Sequence, residues 1–247
     1  MTKKILTLAL AAIMAFALVA CTAQTEETLT MATNAEFPPF EYLEGEEIVG
    51  ADIEIAQAIA EKLGRKLEIA NIDFDAALTG AATGKYDMAV AGITANDERR
   101  ENMNFSVDYY TASQAIIVMA DSAIKAATDL EGKTISCQEG TTGEQYLLDN
   151  GFAIQSFKTG AEAITALTSG KVDAVVIDNA VAKALSDKQE GKTVVLDEAL
   201  TKEAYAIALK KGNDELTAEI DAVLAELKES GKLAEIFAKY ELPYDAE

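Results

Sequence analysis

Residues 89–110 read AVAGITANDERRENMNFSVDYY. The apolar run Met88, Ala89, Val90, Ala91 reads as a buried strand, and Gly92 breaks it. Thr94 offers a hydroxyl just past the strand end. Asn96 or Asp97 suits the N-cap of a short helix that carries Arg99 and Arg100. Phe105, Tyr109 and Tyr110 then lead into another apolar strand. This order sets free backbone N–H groups, a hydroxyl and a guanidinium near one strand end. Those groups suit a carboxylate, because N–H donors converge on it and Arg grips it through two parallel bonds. The same spacing also suits a plain strand–turn–helix whose Arg99 makes a surface ion pair.

The chain on either side has a repeating rhythm. Residues 29–34 read as a first strand, followed by a turn-rich segment in which Pro38 and Pro39 keep the chain extended. Residues 41–49 suit a hairpin about Gly45. Residues 50–64, GADIEIAQAIAEKLG, form an amphipathic helix with Ile53, Ala56, Ile59, Ala60 and Leu63 on one face and Gly64 as its stop. A strand (66–72), a helix (74–83) and a strand (86–91) follow. This alternation implies parallel pairing with right-handed crossovers, and in open sheets of that kind ligands bind beyond the carboxyl ends of the strands. After a strand at 113–120 the pattern restarts: strands at 133–137, 152–157, 172–177 and 193–196 alternate with helices at 142–148, 161–168 and 178–185. Residues 204–210 read as a strand, and 213–229 and 232–240 as helices. Two βα blocks joined by extended strands predict two lobes with a cleft between them, the usual setting for a binding site and for hinged closure.

Composition narrows the function. The chain has 247 residues, 49% of them hydrophobic, with a formal net charge of −21. That charge argues against nucleic acid and against an anionic membrane surface as partners. There is no histidine, which removes Ser-His-Asp and Cys-His catalysis and the commonest transition-metal ligand. The two cysteines, Cys21 and Cys137, are too few for a metal cluster, so no metal site and no cofactor are expected. Cys137 sits in a strand pattern and reads as a small core residue.

Lys3 and Lys4 precede an apolar run over residues 5–20 that ends at Cys21, which describes a secretory signal rather than a spanning helix. Leu18-Val19-Ala20-Cys21 resembles the bacterial lipoprotein box. That resemblance implies removal of residues 1–20, lipid attachment at Cys21, a tether over 21–28, and an extracytoplasmic body anchored to the cell membrane, at a cell surface or facing a periplasm.

Seven stretches in order resemble the bacterial family 3 solute-binding proteins, the polar amino-acid receptors of ABC transporters. They are ATNAEFPPFEY (32–42), GADIEIAQAIAEKLG (50–64), FDAALTGAATGKYDMAVAGIT (74–94), ERRENMNFSVDYY (98–110), EGTTGEQ (139–145), SGKVDAVVIDNAVA (169–182) and YAIALKKGNDEL (205–216). The resemblance implies an α/β fold of the type II periplasmic binding protein kind. Residues 29–110 with 204–247 would form lobe 1 and residues 114–200 lobe 2, with a two-strand hinge between them. It implies that Arg99, with Thr94 and the backbone at Ala91 and Gly92, receives a ligand carboxylate. Thr141 and Thr142, beside Gly140, would add a helix N-terminus from lobe 2. Asp178 would bind the α-ammonium, although the residue alone also reads as a helix N-cap. Phe37 and Phe74 would wall the pocket, although ordinary core also fits them. Asn34 and Gln138 would face the ligand side chain.

Asn34, Gln138, Ile177 and the two Phe lean toward a neutral polar side chain; Glu36 or Glu139 would supply charge for a basic one. The function implied is a monomeric lipoprotein that captures a free amino acid and delivers it to an ABC permease, not an enzyme. The alternatives are a sensory amino-acid-binding module and a cyclohexadienyl dehydratase-like enzyme on the same fold.

Overall fold

The computed structural model describes residues 27–244; the signal segment and Cys21 lie outside them. The chain starts with β1 (Thr28–Thr33), β2 (Glu36–Phe37), β3 (Glu41–Glu44), β4 (Glu47–Val49), α1 (Ala51–Lys62), β5 (Lys66–Asn71), α2 (Phe74–Thr83) and β6 (Met88–Ala89). Strand β1 pairs in parallel with both β5 and β6, as the alternation of strand and helix requires. Ile53, Ile55 and Ile59 of α1 are almost wholly buried, each stabilising the lobe by roughly 1.5–3 kcal/mol. The helix stops at Leu63, with Gly64 in the left-handed region (φ 65°). The segment expected to be extended at Pro38 and Pro39 instead turns, and the Phe40 amide donates to the Phe37 carbonyl at 3.0 Å.

After β6 come α3 (Asp97–Asn102), β7 (Met103–Phe105), β8 (Tyr110–Ala112) and β9 (Gln114–Met119). The second block holds β10 (Thr134–Gln138), α4 (Thr142–Asp149), β11 (Ala153–Phe157), α5 (Gly160–Thr168), β12 (Ala174–Asp178), α6 (Asn179–Asp187) and β13 (Thr193–Val195). The chain returns through β14 (Glu203–Tyr205) and β15 (Ala208–Lys210) and ends with α7 (Asp214–Glu229) and α8 (Lys232–Lys239).

One sheet has the order β5-β1-β6-β15-β7 and the other β11-β10-β12-β9-β13. Both are mixed: β15 runs antiparallel to β6 and β7, and β9 antiparallel to β12 and β13. The short antiparallel ladder β8·β14 joins the two halves. The single strand expected over 204–210 is thus two strands in two sheets. The break follows from position: β14 belongs to the hinge ladder, and the chain must change partners to enter the first sheet. Around the break the Ala206 amide donates to Ile93 O at 3.0 Å, and the Ile207 amide donates to Ser106 Oγ at 2.9 Å.

Aromatic rings fill the joint. Phe40, Tyr109, Tyr110, Tyr205 and Phe237 pack with centroids 5.0–6.3 Å apart, in edge-to-face and tilted geometries that favour ring contact. Cys137 is buried beside Ser156, and burial pushes its thiol up to about 11, which suits an inert core residue. Among the described residues no helix is long and apolar enough to cross a membrane, and no group of His, Cys, Asp or Glu is placed to hold a metal ion.

Candidate functional site

A small, largely enclosed pocket lies between the two sheets. From the first block it is lined by Asn34, Phe37, Glu41, Phe74, Gly92, Thr94 and Arg99, and from the second by Gln138, Thr141, Thr142 and Asp178. Hydrogen bonds cross the cleft directly: Gln138 Nε2 donates to Asn34 Oδ1 at 3.1 Å and Arg99 Nη2 to Gly140 O at 3.0 Å. The lobes are therefore closed on each other.

Arg99 is placed by α3. Asn96, rather than Asp97, caps this helix by accepting from the Arg99 amide at 2.9 Å. The guanidinium donates to Thr94 O at 2.8 Å and lies over the Phe74 ring, 5.6 Å from its centroid. Burial lowers its pKa, and the charges of Asp178 and Glu203 are the largest influences opposing that. Gly92 sits in the left-handed region (φ 55°), and a Cβ there would stand 2.7 Å from the Phe37 ring. Glycine thus lets both the turn and the aromatic wall approach. On the other side, Thr141 caps α4 by accepting from the Glu144 amide at 3.2 Å. The first amides of that helix have no intrahelical partner and carry the positive end of its dipole.

Asp178 occupies the N-cap position of α6, yet its side chain makes no capping bond. Its Oδ1 accepts instead from Tyr205 Oη at 2.5 Å. Burial pushes this carboxyl up to about 6, with the charge of Glu203 adding to the effect. Thr94 lines the cavity from the first block. Its hydroxyl donates to Glu203 Oε2 at 2.6 Å, so toward the cavity that oxygen has only lone pairs to offer.

Ten of the eleven residues singled out in the sequence line the cavity. Ala91 does not: it is buried among Phe74, Ile93 and Phe105 in the core. Glu36 and Glu139 also lie off the cavity wall, the latter paired with Lys158 at 2.7 Å on the surface. Ile177 is buried in the main hydrophobic core.

Glu41 is the cavity residue that sequence reasoning passed over. It is 1% exposed, and neither carboxyl oxygen meets a donor among the described residues. Its neighbour is Asp52, in the first turn of α1, which accepts from the Gly92 amide at 2.8 Å and from Tyr109 Oη at 2.9 Å. Burial raises Glu41 well above the usual carboxylate range and raises Asp52 to about 6. The charge of Asp52 adds to the rise at Glu41. The signal was Glu41's place between Phe40 and Tyr42, an acid set into an aromatic run.

Two mixed sheets, a short hinge ladder and a polar cavity at the cleft define a two-lobed binding protein. Residues 29–243 match the family model for bacterial extracellular solute-binding proteins, family 3, and the chain belongs to that family. It is a solute-binding protein with an extracytoplasmic place of work, not an enzyme. It is 33% identical over 250 residues to the arginine-binding extracellular protein ArtP of Bacillus subtilis (strain 168), covering 96% of this chain and 98% of that protein. Its structure resembles the P235GK mutant of ArgBP from T. maritima, with a TM-score of 0.83 and 36% identity over 87% of this chain and 95% of that one. It resembles equally an ancestral arginine-binding protein bound to glutamine, with a TM-score of 0.83 and 39% identity over 88% and 99% of the two chains.

Proposed function

We propose that the protein captures a free amino acid with a basic side chain, arginine foremost, and delivers it to the membrane permease of an ABC importer. The observation that carries the side-chain assignment is the polarity of the cavity wall. Its unpaired side-chain atoms among the described residues are Glu41 Oε1 and Oε2 and Gln138 Oε1, all oxygens, which accept from a cationic ligand once Glu41 gives up its proton. A guanidinium offers five N–H donors and fits such a wall. Glu41 thereby moves the lean drawn from Asn34 and Gln138, toward neutral polar side chains, to basic ones. The arginine-binding relatives support the same reading.

The main-chain groups divide between the lobes. Arg99 and the amides opening α4 receive the carboxylate, and Asp178 receives the ammonium. Residues 29–110 with 204–247 act as one lobe and 114–200 as the other. Only their closed arrangement offers both charges at once, so the ligand stabilises closure through its differential contacts. Cys21 carries the lipid that holds a monomeric body near the permease.

A second reading is a neutral amide ligand such as glutamine. It is favoured by the raised pKa of Glu41, which as a neutral acid both donates and accepts. A thermal melt of ligand-stripped protein against the twenty amino acids at about 1 mM separates the two. A ligand with a dissociation constant near 1 μM adds roughly 4 kcal/mol and raises Tm by roughly 8–16 °C for a chain of this size. The expected result is the largest shift with arginine. A largest shift with glutamine establishes the second reading, and no shift with any amino acid refutes both.

A further inference from the structure

Glu203 stands on the hinge strand β14 and is 8% exposed. It is absent from the cavity wall, yet three threonine hydroxyls donate to its carboxylate. Thr94 and Thr142 donate to Oε2 at 2.6 and 2.8 Å, and Thr201 donates to Oε1 at 2.7 Å. Thr94 belongs to the first lobe and Thr142 opens α4 in the second, and both line the cavity. One carboxylate oxygen in the hinge therefore holds a wall residue of each lobe.

A hydroxyl has a single proton. Directing it at Glu203 turns the oxygen lone pairs of both threonines away from the hinge carboxylate. Thr142 Oγ1 also accepts from Gln114 Nε2 at 3.2 Å, whereas Thr94 Oγ1 has no second partner among the described residues. Without an acceptor at position 203, each hydroxyl would be free to rotate its proton toward the cavity.

We infer that Glu203 is a positioning residue of the amino-acid site: it fixes the Thr94 and Thr142 hydroxyls as acceptors facing the cavity, so that they receive the ligand ammonium beside Asp178 instead of donating to its carboxylate. This rests on the amino-acid reading above. The sign of the effect distinguishes the two roles. If Thr94 accepts from the ammonium, releasing its proton from Glu203 weakens binding. If it donates to the ligand carboxylate, the same release strengthens binding.

The test is calorimetric titration of the purified full-length protein with L-arginine, or with the strongest binder of the amino-acid screen. Glu203→Met removes both acceptor oxygens while keeping an unbranched side chain, and affinity is expected to fall at least tenfold. Glu203→Gln keeps one carbonyl oxygen for Thr94 and Thr142 and is expected to stay within about threefold of wild type, although it loses the same charge. In a Thr94→Val background, Glu203→Met is expected to cost no more than about threefold, because its main target is gone. Tighter binding by Glu203→Met, equal losses from Met and Gln, or a full tenfold loss in the Thr94→Val background would each overturn the proposal. Should Glu203→Met fail to fold, Glu203→Gln in a Thr142→Val background serves. There the amide must orient its oxygen for Thr94 alone and near-additive affinity is expected, so a further tenfold loss overturns the assignment. Wild-type protein that binds no amino acid refutes the reading of the site itself, whereas failure of the mutant pattern with wild-type binding intact refutes only the role of Glu203.

Discussion

Arg99 meets backbone carbonyls on both sides of the cleft while lying over Phe74. Thr94 O and the Phe74 ring, both on the side of the cleft that carries Arg99, orient the guanidinium independently of closure, so little further ordering accompanies its grip on a carboxylate in the proposed binding mode. Arg99→Ala is expected to weaken amino-acid binding by roughly 3–5 kcal/mol, because the ligand carboxylate then lies buried without its partner; titration calorimetry reads this directly. Arg99 was legible in the sequence because a capping Asn and a strand end frame it. Glu41 and Glu203 were not. Each is an acid at the first position of a short strand, where charge ordinarily faces solvent. Their surroundings are set by other segments of the chain: Glu41 by Asp52 and Asp178, and Glu203 by Thr94 and Thr142. Asp178 lay between these cases, since a residue at a strand–helix junction reads equally as a cap until Tyr205 is seen to occupy its oxygen.

At the scale of elements, helix and strand order followed from periodicity and from glycine and asparagine punctuation. The strands that depart from expectation are those whose partners change along their length. Residues 204–210 carry one continuous apolar pattern, but β14 pairs with β8 and β15 with β6 and β7. The turn after β6 is equally exacting. Gly92→Ala combines a φ of 55° with a contact of 2.7 Å to Phe37. It is expected to cost about 1–3 kcal/mol in stability and to push the Phe37 ring into the cavity. Urea unfolding should show a lower midpoint with an unchanged slope, and affinity for the amino acid should fall together with it.

For the whole molecule, the cleft concentrates carboxyls that the fold holds away from water. An aspartic acid ordinarily ionises near 3.8, whereas Asp52 and Asp178 in the folded protein ionise at about 6. Between these values the folded chain binds more protons than the unfolded one. The stability of the ligand-free protein therefore falls as pH rises from about 4 to 6, by roughly 3 kcal/mol per carboxyl, and stays low above that window. Chemical denaturation of stripped protein is expected to give a higher midpoint at pH 5 than at pH 7.5. In the proposed binding mode the ligand acts in the opposite sense, because an ammonium held by Asp178 needs that carboxyl ionised, so the melting shift produced by arginine should shrink at pH 5.

Glu41 stands on the cavity wall, where burial and the charge of neighbouring Asp52 favour its protonated form. On the proposed function, a guanidinium arriving there favours the ionised carboxylate and releases the proton to the solvent. The heat of ligand uptake will then carry a contribution from whatever buffer takes the proton up. Calorimetric enthalpies for arginine at pH 7.5 should differ between phosphate and Tris by up to one buffer ionisation enthalpy, and the difference should vanish in Glu41→Gln. A molecule with no histidine would in this way announce the charge of its cargo through the acidity of its surroundings.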